Sequence, residues 1–154
     1  MSVVAAFAAA AEAYCAWAEG EPHNADEDAG LARLLLLDLC RAAIDLPAVE
    51  ADGNAPEISD DDYQRVFRRF GSLPFNYYSK CFDPLIVPAA EPVTADLADD
   101  LADIWRDVKR GLLLYREGHT DAAVWQWRFH FDIHWAHHAT AALYALQSWL
   151  SAHS

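Results

Sequence analysis

The sequence predicts an all-α fold, in which four to five helices form an up-down bundle within a single domain of residues 1–154. Three observations favour helix. Alanine and leucine dominate the composition, and β-branched residues are sparse. No segment alternates valine, isoleucine or threonine with polar residues, as a half-buried strand does. With 54% hydrophobic and 23% charged residues, the chain has the composition of a globular protein.

The first two helices are predicted to run from about Ser2 to Glu19 and from about Asp26 to Asp45. Gly20 ends the first, and the second stops before Pro47. The centre of the second helix, LARLLLLDLCRAAI, is hydrophobic almost all round, which predicts the most enclosed helix of the bundle. Asp38 lies within this run. A carboxylate among leucines is costly unless it is paired, so Asp38 is predicted to bond a histidine or an arginine of the last helix.

The third helix is predicted to begin at Ser59, where a serine followed by three aspartates forms an N-cap with an acidic first turn. It ends at Gly71. Residues 75–92 then combine three prolines with several aromatic side chains, Tyr77 and Tyr78 among them. This composition predicts an irregular loop that packs down over the bundle between the third and fourth helices.

The fourth helix is predicted to be capped by Thr94 and to end at Gly118. A short turn then leads into a fifth helix from about Asp121 to Ser151. The fourth helix has the clearest amphipathic period in the chain. Its predicted core residues are Leu97, Leu101, Ile104, Trp105, Val108, Leu112 and Tyr115.

Histidine and tryptophan are concentrated in the fifth helix, in the segment WQWRFHFDIHWAHH. It contains four of the seven histidines and three of the six tryptophans. His134 and His138 are four residues apart on the inward side, the spacing by which a helix offers two imidazoles to one metal ion. The favoured interpretation is that both imidazoles are hydrogen-bonded core residues, without a cofactor. The alternative is a metal-binding bundle or a metal-dependent hydrolase, whose site would comprise His134 and His138 with Asp38 and would bind Zn, Fe or Mn.

Aspartates form the other conspicuous pattern, on the fourth helix. Five of them share an arc of about 100° opposite Leu101, which predicts a solvated face, with Asp100 and Asp107 near its edge. The net charge of −13 excludes nucleic acid and anionic membranes as partners. We therefore expect a non-catalytic protein-binding module that contacts a basic protein. The predicted contact surface consists of Asp99, Asp100, Asp103, Asp107, Tyr77 and Tyr78.

A third interpretation is a dimeric helical ribonuclease, because Arg128 and His134 fit the Arg-(four to six)-His signature of one such superfamily. The two side chains point about 120° apart on a helix, and the acidic surface disfavours RNA.

Three widely spaced cysteines and no basic leader before the first apolar segment predict a cytoplasmic protein. The sequence leaves catalytic activity open, and a homo-oligomer is compatible with it.

Two segments resemble a family of small bacterial proteins catalogued as a domain of unknown function (number 5063). They are DDLADIWRDVKRGLLLY, residues 99–115, and VWQWRFHFDIHWAHHATAALYAL, residues 124–146. Trp105 stands where the family usually has tyrosine, and Ala136 where it has glycine. The resemblance implies a helical fold and no particular activity. It points to Asp99, Asp100, Asp103, Arg106, Trp127, His134, Trp135 and His138.

Overall fold

The helices begin and end where local sequence chemistry favours a terminus. The computed structural model describes residues 1–154. Helix α1 spans Val3–Glu19, α2 spans Ala25–Ile44 and α3 spans Asp60–Arg69, followed by a single 3₁₀ turn at Phe70–Ser72. The side chains of Ser2, Asn24 and Ser59 each accept a hydrogen bond from a backbone N–H of the first turn that follows. The predicted cap at Ser59 is therefore confirmed.

A small antiparallel sheet interrupts the helical architecture. Strand β1 spans Tyr77–Lys80 and β2 spans Val93–Asp96, with Tyr77 opposite Asp96 and Lys80 opposite Val93. The protein is thus mostly helical, and the prediction of an all-α fold was wrong at this hairpin. The sheet also displaces the predicted cap at Thr94: because β2 continues to Asp96, the Asp96 side chain accepts the bond from Asp99 N at 3.0 Å and caps the next helix.

The segment 75–92, predicted to be one loop packed over the bundle, is divided: Phe75 and Tyr78 pack against the core and residues 77–80 form β1, but most of residues 81–92 lie exposed. Phe82, Leu85 and Val87 are 83%, 89% and 88% exposed. The prolines of this segment have no backbone N–H to donate, so the strand pairing cannot extend into the loop. The apolar side chains are consequently left on a projecting tip.

Helix α4, Leu97–Arg116, is the most enclosed helix of the fold and contacts α1 and α3. It also contacts two later helices, α5 at Thr120–His130 and α6 at Ala136–Ala152. Its predicted apolar face is confirmed. Leu97, Leu101, Ile104, Val108 and Leu112 are all fully buried.

Helix α2 is less enclosed than its composition predicted. It packs against α1 and α6, and its third side faces solvent. Leu34 and Leu37 are 56% and 51% exposed on that side. Asp38 is exposed as well, so the expectation that it lies buried among leucines was wrong.

The predicted fifth helix is one continuous helical segment with a π-helical turn inside it. Helix α5 passes into a π-helical segment at Phe131–Trp135, which leads directly into α6. Trp135 Nε1 donates to the carbonyl of Trp127 at 3.2 Å. A side chain therefore hydrogen-bonds to a backbone carbonyl at the point where the helix changes from α to π. Single π-turns within α-helices occur frequently at functional sites. His134 lies in this one.

A buried ion pair joins the first three helices. Asp28 of α2 is fully buried and accepts hydrogen bonds from Arg69 of α3 and from Trp17 Nε1 of α1. Arg69 also donates to the carbonyl of Trp17 and stacks over its ring. Ser72 Oγ and the backbone N–H of His23 also donate to this carboxylate, so both of its oxygens are engaged, as a charge withdrawn from water requires. None of the helices combines the length and apolarity that crossing a membrane requires.

Candidate functional site

The candidate site lies between α4 and the segment that contains the π-turn. Residues 117–119 connect α4 to α5, so the two run side by side in opposite directions. Asp100, Asp103 and Asp107 are three and four residues apart on α4, and His134 and His138 are four apart on the facing segment. The two spacings match, and the five side chains meet across the interface.

Each histidine is oriented by its own aspartate. His134 Nδ1 lies 2.6 Å from Asp107 Oδ2, and His138 Nδ1 lies 2.7 Å from Asp100 Oδ1. Both aspartates are buried, 4% and 3% exposed. A carboxylate accepts hydrogen bonds, so these partners assign the proton of each neutral imidazole to Nδ1. The lone pair of each ring is then on Nε2.

The two Nε2 atoms face each other and a third ligand atom. They are 3.2 Å apart, and Asp103 Oδ2 lies 3.6 Å from that of His134 and 3.4 Å from that of His138. In this tautomer no hydrogen lies between the three atoms, so three electron pairs converge on one point. A proton shared between the two rings, or a cation bound to all three atoms, relieves that repulsion.

The size of this triangle fits a tetrahedral metal ion. Ligands about 2.0–2.1 Å from a tetrahedral Zn²⁺ lie about 3.3 Å from one another. In an octahedron with the same bond length, adjacent ligands would be only about 2.9 Å apart. The observed distances of 3.2, 3.4 and 3.6 Å are compatible with three ligands of such an ion.

Two tyrosines and an arginine hold the carboxylates in place. Tyr78 donates to Asp100 Oδ2. Tyr63 donates to Asp103 Oδ1 at 2.7 Å, and Arg106 donates to the same oxygen at 3.1 Å. These bonds occupy Oδ1 of Asp103 and leave its Oδ2 facing the histidines. Hydrogen-bonded outer partners of this kind fix the geometry of metal ligands.

Electrostatics at the site favour bound positive charge. Burial lowers the pKa of His138, but the hydrogen bond with Asp100 and the charges of Asp100, Asp103 and Asp99 raise it more, so the pKa lies above its ordinary value. The pKa of Asp99 is raised by partial desolvation and by the charge of Asp103. The negative charge of neighbouring aspartates thus contributes to both shifts.

A second group of potential ligands shares His138 with the first. Asp99, Asp100 and His138 have ligand atoms within 4.8 Å of one another. Here, however, the hydrogen bond between His138 Nδ1 and Asp100 already engages both side chains. Asp99 is exposed. These residues therefore surround the triangle of Asp103, His134 and His138 and do not form an equivalent site.

The structure changes the roles expected for most of the predicted site residues. His134 and His138 meet as predicted, but exposed Asp38 belongs to neither group of ligands. The aspartates were expected to form a solvated face, and that was wrong for Asp100 and Asp107, because α5 and α6 cover this side of α4.

Of the predicted contact surface, Tyr77 and Asp99 are exposed, whereas Tyr78 is turned towards Asp100. Arg128 donates to the carbonyl of Leu46 and does not reach His134. Sequence reasoning missed the role of Asp103 and of its partner Tyr63. The matching spacing of aspartates and histidines on two consecutive helices was the available signal.

Comparison with known proteins identifies relatives by sequence pattern and by fold. The model of the family described as Domain of unknown function (DUF5063) matches residues 1–152. Among solved structures, the crystal structure of protein BF1032 from Bacteroides fragilis is similar, with a TM-score of 0.78 and 19% sequence identity. The alignment covers 97% of this chain and 96% of that one. At this identity the likeness establishes the fold alone. No curated protein matches the chain.

Proposed function

The chain belongs to the DUF5063 family, and from this premise and the geometry of the site we propose that it is a zinc-binding protein with a site of the hydrolytic type. Asp103, His134 and His138 are the proposed ligands. One observation carries the proposal: two Nε2 atoms lie 3.2 Å apart beside a carboxylate oxygen, while the Nδ1 atom of each ring is bonded to an aspartate. Without a cation or a bound proton, this arrangement is repulsive.

Three protein ligands favour a reactive site over a structural one. Structural zinc sites are closed by four protein side chains, whereas catalytic sites keep one position for water. The His134 side chain is 35% exposed, so solvent reaches the ligand triangle. Zn²⁺ held by Asp103, His134 and His138 would supply Lewis-acid activation of water for hydrolysis at neutral pH. Asp107 and Asp100 keep the two imidazoles in the tautomer that can bind the ion.

This proposal is preferred over binding of a basic protein to an acidic face. Asp100 and Asp107 are buried and bonded to histidines, and Asp103 is bonded to Tyr63 and Arg106. A partner protein would have to separate these bonds to reach the carboxylates. The same aspartates are well placed to stabilise and orient metal ligands.

The proposal is tested by zinc titration of protein stripped with EDTA and then freed of chelator. Isothermal titration calorimetry and elemental analysis should give about one zinc per chain for the wild type. His134→Ala, His138→Ala and Asp103→Asn should each lose stoichiometric zinc, because each removes one of three ligands. Circular dichroism would establish that the variants remain helical.

Two neighbouring residues supply matched controls. His137→Ala removes an exposed imidazole adjacent to His138, and Asp99→Asn removes an exposed carboxylate near the triangle. Both variants should retain one zinc per chain. Equal loss of zinc in His137→Ala and His138→Ala would contradict the proposal, as would a wild-type protein that binds no zinc. If an alanine variant unfolds, the glutamine variants of His134 and His138 test the same ligands with less loss of packing.

A further inference from the structure

A groove separate from the metal ligands lies between the β1–β2 hairpin and α6. Its volume is about 530 Å³, within the range of small-molecule sites in proteins. Strand β1 and the loop form one wall, with Tyr78, Lys80 and Phe82. The first turns of α6 form the other, with Thr140 and Tyr144.

The charge of the groove is opposite to that of the protein as a whole. The chain has 24 acidic residues, yet none of the eleven residues lining the groove is acidic. Lys80 is among them, and its ammonium group forms no ion pair. An unpaired lysine in a basin free of carboxylates is a complementary site for a single negative charge.

The walls of the groove are suited to an apolar body. The rings of Tyr78, Phe82 and Tyr144 line it together with Pro84 and Pro92. Phe82 and Tyr144 are 83% and 79% exposed, and with Tyr78 they line one groove, a contiguous apolar surface of the kind found at ligand-binding sites. Tyr78 is fixed by its hydrogen bond to Asp100, so one wall is preformed.

We propose that this groove binds a small carboxylic acid with a planar apolar body. The body lies against the aromatic and proline walls, and the carboxylate pairs with Lys80. The inference rests on the composition of the groove and holds whether or not zinc is bound at the neighbouring site.

The test compares two probes of equal size, 2-naphthoate and 2-naphthamide, by calorimetry and by two-dimensional NMR of the full chain. The carboxylate should bind about tenfold more tightly than the amide, since it alone pairs with the ammonium. Lys80→Gln should abolish this preference. Thr140→Trp should prevent binding of both probes, because the indole fills the groove from the α6 side.

Matched controls distinguish specific binding in the groove from nonspecific binding of the probes to any exposed cation or to the surface of α6. Arg68→Gln removes an exposed guanidinium of α3 that does not line the groove, and Ser148→Trp places an indole further along α6. Both variants should bind the probes as the wild type does. The proposal is overturned if neither probe binds at millimolar concentration, or if Lys80→Gln leaves the preference for the carboxylate intact.

Discussion

His134 presents a free Nε2 atom because Asp107 accepts a hydrogen bond from the N–H of the other ring nitrogen. The orientation of the ring and its tautomer are thus set by a residue that does not touch the proposed ion. Asp107 is 4% exposed, so little water is available to take over its role. A positioning residue of this kind should affect metal affinity more than it affects the fold.

We therefore expect Asp107→Asn to weaken zinc binding by about 10–100-fold while the protein remains folded. Asparagine keeps an oxygen that accepts a hydrogen bond but loses the charge that favours Nδ1–H. Calorimetric titration with zinc measures the change. Asp132→Asn, which removes an exposed carboxylate of the π-helical segment, is the control and should bind zinc as the wild type does. If both variants bound zinc about tenfold more weakly than the wild type, the loss of affinity would be a general charge effect, which would contradict a positioning role for Asp107.

The sequence identified the histidines of the site but assigned the aspartates to the wrong environment. His134 and His138 were found because their spacing is a property of one helix. Whether Asp100 and Asp107 face solvent depends on what covers α4, and two other helices cover it. Periodicity within one helix carries no such information. For the same reason Asp38, within a run of leucines, was expected to be buried and is exposed.

The packing of α4 against α5 depends on one glycine. Gly111 contacts the indole of Trp127, whose Nε1 donates to the carbonyl of Val108 at 3.0 Å. A Cβ atom at residue 111 would lie 2.2 Å from that nitrogen. Trp127 is fully buried, so it has no space into which it can move. This close approach holds together the two elements that carry the proposed ligands.

Gly111→Ala should destabilise the protein by about 1–3 kcal/mol, the usual cost of overpacking a core. Gly30→Ala is a matched substitution in α2, where an added Cβ meets nothing within 4 Å. It should stabilise the protein by about 0.5–1 kcal/mol, because alanine has the higher helix propensity. Urea denaturation measures both changes. An equal effect of the two substitutions would refute the account of the α4–α5 contact.

The ends of helices and strands were predictable where they depend on contacts between residues close in sequence. They were not predictable where they depend on contacts between residues far apart in sequence. Ser59 caps its helix through a bond to a backbone N–H three residues away, so its role can be read from adjacent residues. The strands β1 and β2 pair across a loop, and no residue within either one specifies its partner. The residues of the π-turn have the periodicity of a regular α-helix, so the sequence did not predict the turn. The turn depends on tertiary contacts, such as that between Trp135 and Phe7 in the core.

Stability of the whole molecule should depend on pH through Asp28. Burial raises the pKa of this carboxyl, but the hydrogen bonds from Arg69, Ser72 and Trp17 lower it more, and the net result is a pKa well below its ordinary value. The folded protein therefore keeps Asp28 ionised at a pH where the unfolded chain binds a proton. The resulting stability is present above the unfolded pKa of about 3.9 and is lost as pH falls towards the folded pKa.

Asp28→Asn should lower the free energy of unfolding by about 3–5 kcal/mol at pH 7, because it leaves the buried guanidinium of Arg69 without its counter-charge. The difference in the free energy of unfolding between this variant and the wild type should become smaller as pH falls below about 4. Urea denaturation across this pH range measures both effects. Asp26→Asn, which removes an exposed carboxylate from the first turn of α2, should cost no more than about 1 kcal/mol. A difference that stayed constant down to pH 2 would rule out the proposed linkage.

The short connection between α4 and α5 has a consequence for the order in which the molecule is built. All the proposed ligands and their orienting aspartates come from residues 100–138, which form consecutive helical segments of one hairpin. Closing such a short length of chain costs little entropy, and contacts between sequence neighbours form quickly. The ligand-bearing segments can thus come together before the amino-terminal helices dock, and Tyr63 of α3 then fixes the orientation of Asp103. An ion captured at that stage would serve as an early nucleus around which the remaining helices complete the core.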